Sequence, residues 1–153
     1  VEVESLRHAV TMLGYSPLYR WLSLLLTTTN TAGFSPALLQ AAIVRGRFIE
    51  LLGQKLLGKN EAANLFVVGL FSLLDQLLGV SPEQVLLQIS LPATIAQALL
   101  SREGVYGPFL ALAEACEQEH GGASDCADAL FMTAAQVNQA HLSALVWAQN
   151  LQI

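Results

Sequence analysis

The stretch EAANLFVVGLFSLLDQLL, residues 61–78, decides the fold class. After Glu61 it carries one charge, Asp75, and it is apolar on nearly every side of a helical wheel. A helix of that kind is buried by its neighbours, so this stretch predicts the central helix of a bundle. Its most apolar part, 65–74, is far below the roughly 20 residues that cross a bilayer. Gly79 is placed to end it.

Helix signals continue on both sides. Upstream, Ser35-Pro36 puts a capping hydroxyl before a proline, and Leu38, Leu39, Ile43, Phe48, Leu51, Leu52 and Leu56 recur every three to four residues. Gly58 should stop that helix and Asn60 should cap the central one. Nearer the start, 6–13 and 18–28 read as two helices joined around Gly14. Downstream, 82–89 begins after Ser81-Pro82, with Glu83 and Gln84 in its first turn; 92–100 and 108–120 follow, the latter closed by Gly121-Gly122. Ser124 should cap a short helix to about Phe131. Thr133 should cap the last helix, with Gln136 completing a capping box. Val137, Leu142, Leu145, Val146 and Leu151 are its expected apolar positions. Strand patterns are nearly absent. The fold class expected is all-α, a single-domain multi-helix bundle over 1–153.

Composition narrows the function. Of the 153 residues 54% are hydrophobic and 12% charged, against an ordinary charged share of about 25%. Such a chain either exposes an apolar partner surface or encloses a large core solvated by Ser, Thr, Gln and Asn. The net charge is −5, and the seven Lys and Arg are scattered, so no cationic face exists for nucleic acid. No segment has the length and apolarity of a membrane span. Two cysteines and no signal peptide fit a reducing cytoplasm. The chain starts at Val1 and reads as a piece of something longer.

In order and spacing these elements resemble an HDOD domain, a non-catalytic relative of the metal-dependent HD phosphohydrolases. The residues that carry the resemblance are SLRHAVTMLGYSPLYRWLSLLL at 5–26, the central helix at 61–78, LPATIAQALL at 91–100 and LSALVWAQNL at 142–151. The GLFSLLD form of the central helix looks like the variant found downstream of EAL cyclic-di-GMP phosphodiesterase domains. The resemblance implies a bacterial signalling output domain that acts on other protein domains, foremost an EAL-type domain upstream in the same chain, with no cofactor. HD enzymes carry His-Asp in the central helix, in a form like GLLHDIG. Here Ser72 stands in the place of the His and Leu73 in that of the Asp. Neither is a useful metal ligand. The resemblance thus implies no catalysis in this piece. The alternative is a degenerate HD-type phosphohydrolase or nucleotide-binding domain. A homodimer through an apolar helix face also fits the composition.

Several polar residues carry two readings. Ser72 either lines a remnant pocket or bonds back to a carbonyl one turn earlier. Asp75 needs a partner if buried, and Arg45 or Arg47 could supply it. Those two arginines are two apart, so one alone should point inward. Together with Arg20 they make a weak phosphate signal, since no glycine-rich cradle accompanies them. Cys116, His120 and Cys126 make a weak zinc set at non-standard spacing; a core cysteine and a carbonyl-capping histidine are the plainer reading. His8 and His141 are isolated. Tyr15, Tyr19, Trp21 and Trp147 read as packing residues.

Overall fold

The computed structural model describes residues 36–73, 76, 79, 81, 83–84, 91–118 and 121–150. The two helices expected at 6–13 and 18–28, most of the one at 82–89, and Arg20, Asp75 and His120 lie outside the described residues. Six helices are described: α1 (Pro36–Leu56), α2 (Lys59–Phe71), α3 (Ala93–Ser101), α4 (Gly107–Glu117), α5 (Ala123–Ala129) and α6 (Ala134–Asn150). Among the described residues there is no strand, and the class is all-α.

α1 and α2 form an antiparallel hairpin closed by Leu57 and Gly58. Gly58 turns with φ 84°, a conformation open to glycine without steric cost. It is also the N-cap of α2, which therefore starts at Lys59 and takes Asn60 inside the helix, where a cap was expected. The hairpin is close-packed because small residues lie seven apart on both helices. A Cβ placed on Gly69 would sit 2.5 Å from the Gly46 Cα, and one on Gly53 would sit 3.6 Å from the Ala62 Cβ. Only a hydrogen at Gly46 and Gly69 permits this backbone approach.

Every residue from Leu65 to Phe71 is buried, as expected for a helix apolar on all sides. α2 ends at Phe71, however, well before the expected 78, with a turn at Ser72 and Leu73. The Ser72 hydroxyl donates to the Gly69 carbonyl at 2.7 Å, competing for an acceptor that a continuing helix would use.

The hairpin is enclosed on two sides. α4 packs on α1 and α2, α3 packs on α2 and α4, and α6 lies along the other side of α1, with α5 bridging α4 and α6. Phe66, Ile49, Leu52, Leu65, Ile95 and Leu110 form the fully buried centre. α3 ends at Arg102, in the left-handed conformation at φ 60°, and its guanidinium forks onto Glu114 of α4. The expected capping box at Thr133 holds, and Ser81 forms a second one with Gln84. Ser81 and Gln84 exchange backbone–side-chain bonds of 3.2 and 3.3 Å, and Thr133 and Gln136 exchange bonds of 2.9 and 3.1 Å. Ser124 does not cap α5: Gly122 is the N-cap and Ser124 falls inside the helix.

The inward face of α6 differs from the expected one. Val137, Ala140, Ala144, Trp147 and Ala148 are buried, whereas Leu142, Leu145 and Val146 are 60%, 39% and 58% exposed. Alanines at the seam let α6 approach α1, and the larger aliphatic residues fall on the far side. No described helix is long and apolar enough to cross a membrane.

Candidate functional site

The two arginines of α1 define the chemistry of the core. Both are buried, Arg45 at 6% and Arg47 at 7% exposure, although one alone was expected to point inward. Two residues apart they do face differently; α1 has helices on both sides, so each direction leads into packed protein.

Arg45 points toward the C-terminal ends of α2 and α4. Its Nε donates to Glu117 Oε1 at 3.1 Å and its Nη2 donates to Glu117 Oε2, a two-pronged carboxylate contact. Its Nη1 donates to Ser72 Oγ at 2.9 Å. Ser72 follows α2 and Glu117 is the last residue of α4, so the guanidinium sits where two helices present the negative ends of their dipoles. Three elements are tied at one cation. Ser72, which takes the place of the HD histidine in the resemblance, thus gives its proton to Gly69 and accepts from Arg45. Leu73, in the place of the HD aspartate, is buried at 5% exposure.

Arg47 points toward α6. Its Nη1 donates to Glu50 Oε1 at 2.5 Å, one turn along α1. Its guanidinium carbon lies 5.1 Å from the centroid of the Trp147 ring, within cation–π range. Trp147 in turn meets Phe66 edge-on at 5.8 Å. Two buried donors here have no acceptor among the described residues, Arg47 Nε and Trp147 Nε1. Both side chains line a groove of about 410 Å³ between α1 and α6, whose walls include Leu51, Leu142 and Val146. His141, partly buried, meets Phe48 with the rings tilted by 38° and their centres 5.2 Å apart.

The remaining sequence candidates sit elsewhere. Cys116 and Cys126 are half-buried free thiols packed against the core. Burial pushes the Cys116 thiol up, and neighbouring Cys126 and Glu117 add to the rise, so it is a protonated, poorly nucleophilic group at neutral pH. Among the described residues no group of three His, Cys, Asp or Glu is arranged to hold a metal ion. Sequence reasoning missed Glu117, which pairs with Arg45 across 72 positions. It also missed Tyr106 of the turn before α4. The Tyr106 hydroxyl donates to Glu61 Oε2 at 2.5 Å and accepts from Asn64 Nδ2 at 2.8 Å, pinning α4 to the start of α2.

Comparison with known proteins adds two relatives. The chain is 27% identical over 154 residues to the uncharacterized protein YuxH of Bacillus subtilis, covering 98% of this chain and 37% of YuxH. It is 29% identical over 153 residues to the cyclic di-GMP phosphodiesterase CdgJ of Vibrio cholerae, covering 99% of this chain and 35% of CdgJ. No protein-family model and no solved structure matches. The chain is thus similar along almost its whole length to about a third of each of two longer bacterial proteins.

Proposed function

We propose that this chain is an HDOD-type regulatory domain that acts by protein–protein contact in cyclic-di-GMP signalling and does no chemistry of its own. The observation that carries the reading is the Arg45–Ser72 hydrogen bond of 2.9 Å. In the resemblance, Ser72 marks the spot where an HD enzyme places a metal-binding histidine. Here that spot is bonded to a buried guanidinium. A divalent cation brought to it would meet positive charge without charge-bearing ligands from Ser72 or Leu73. The carboxylate at this spot, Glu117, has both oxygens engaged by the guanidinium. The similarity to CdgJ supports the signalling context, and the much greater length of both relatives supports a larger protein in which this domain acts on a neighbour.

The test has two arms. The purified chain, supplied with Mg²⁺ or Mn²⁺, should leave cyclic di-GMP and bis-p-nitrophenyl phosphate intact. Added to an EAL-type phosphodiesterase domain, it should change that domain's turnover at least twofold. Metal-dependent hydrolysis by the chain overturns the non-catalytic reading in favour of a degenerate phosphohydrolase. An unchanged turnover overturns the regulatory one.

A further inference from the structure

We propose that the outward face of α6 is a self-association surface on which two copies of this chain pair about a two-fold axis. Three observations lead there. First, Leu142, Leu145 and Val146 form one stripe at three- and four-residue spacing, directly opposite the buried Ala140, Ala144 and Ala148, and all three are exposed. Leu142 and Val146 also wall the adjoining groove together with Leu51, so the stripe has a recess beside it.

Second, α6 carries no Asp, Glu, Lys or Arg in 17 residues, although the chain as a whole has a net charge of −5. Two copies of an acidic chain repel wherever their carboxylates meet. A face without formal charge is where a second copy can approach.

Third, the stripe is framed by neutral amides, with Asn138 and Gln139 at one end and Gln149 and Asn150 at the other. An isologous pair places each surface against itself. Amides are both donors and acceptors, so an amide can bond its own counterpart, whereas a carboxylate or an ammonium cannot.

A 17-residue helix is about 25 Å long, so the contact belongs to the small, reversible class of interfaces. Sedimentation equilibrium of the whole chain should show a mean mass rising from 16.4 kDa toward twice that between about 5 and 500 µM. Leu145→Asp with Val146→Asp should weaken association at least tenfold while leaving the far-UV circular dichroism and the urea midpoint unchanged. Asn138→Asp with Gln149→Glu should weaken it likewise. Mixing that variant with Asn138→Lys/Gln149→Lys should restore pairing as a heterodimer. A mass of 16.4 kDa throughout the range overturns the proposal, and so does association indifferent to both pairs of substitutions. Self-association and control of a phosphodiesterase fail separately: the Asp variants test the first by mass, and the unmutated chain tests the second by turnover.

Discussion

Arg45 and Arg47 leave the same helix two residues apart and are buried to nearly the same degree, yet their surroundings differ in kind. Arg45 reaches long-range partners: Glu117 from α4 by two nitrogens and Ser72 after α2 by the third. Arg47 takes its carboxylate from its own helix, stacks on Trp147, and keeps one buried donor without an acceptor among the described residues, on a side chain that lines an open groove. The first face of α1 is closed in the sense that each guanidinium nitrogen has an acceptor, although Glu117 itself reaches solvent. The second is incompletely matched and borders solvent. Complete satisfaction makes the first face a latch that fixes three elements; incomplete satisfaction and exposed aliphatic residues make the second the natural place for contact with another molecule.

The largest perturbation should be one that forces α1 and α2 apart and so disturbs both faces together. Gly69→Val puts branched carbon where a single Cβ already falls 2.5 Å from the Gly46 Cα. It should cost more than about 4 kcal/mol, enough to remove the cooperative urea transition. A variant that unfolds normally would show that the hairpin can open without loss of the core.

Next come the two carboxylates, which separate the faces. Glu50→Ala strands Arg47 in a pair whose side chains are 9% and 5% exposed, and should cost about 4 kcal/mol. Glu117→Ala strands Arg45 likewise, but Glu117 is 43% exposed and its pairing is weakened by solvent, so about 2 kcal/mol is expected. Urea unfolding of the two variants side by side checks the order. The reverse order would mean that the long-range latch, rather than the local pair, holds α1 in place.

How much of this contrast the sequence could disclose depends on distance along the chain. α1 was legible from its apolar spacing, the Ser81 hydroxyl as a cap and the Thr133 capping box from residues three apart, because those interactions are local. The Arg45–Glu117 pair spans 72 positions, and no periodicity connects its members. The seven-residue spacing of Gly46 with Gly53 and of Ala62 with Gly69 was a readable signal of close helix packing that hydrophobic counting passes over. The face of α6 was misassigned for the same reason. Size suggested that Leu142, Leu145 and Val146 point inward, but the seam belongs to Ala140, Ala144 and Ala148, whose smallness sets the distance to α1.

A smaller effect, with a pH signature, tests a satisfied polar group on the closed side. Burial, with a further push from Glu61 against the lowering effect of the Asn64 bond, raises the Tyr106 hydroxyl above its ordinary 10.0. The folded state then keeps this proton at pH values where the unfolded chain has lost it, so stability should fall as pH rises beyond 10.0. Cys116, raised above 9.0, contributes in the same direction from a lower pH. Tyr106→Phe should cost about 1 kcal/mol at neutral pH through the lost bonds to Glu61 and Asn64. It should also make the alkaline decline shallower. Urea midpoints at pH 7 and pH 10.5 read both, and an unaltered slope would assign the alkaline loss to other groups.

The smallest expected effect is on the open side, at Trp147→Phe. The indole N–H has no acceptor among the described residues, so phenylalanine gives up no hydrogen bond there, unlike Tyr106→Phe. What it loses is ring volume against Phe66 and part of the attraction to Arg47, whose guanidinium lies 5.1 Å from the ring centre. What it gains is relief of a buried donor that folding strips of water, a penalty of about 1–3 kcal/mol. The two nearly cancel, and the net change should stay within about 1 kcal/mol in either direction. Thermal or urea unfolding of Trp147→Phe beside Tyr106→Phe makes the comparison direct. A loss at Trp147 larger than at Tyr106 would mean that the indole nitrogen is bonded in solution, and that the groove between α1 and α6 is filled in the isolated chain.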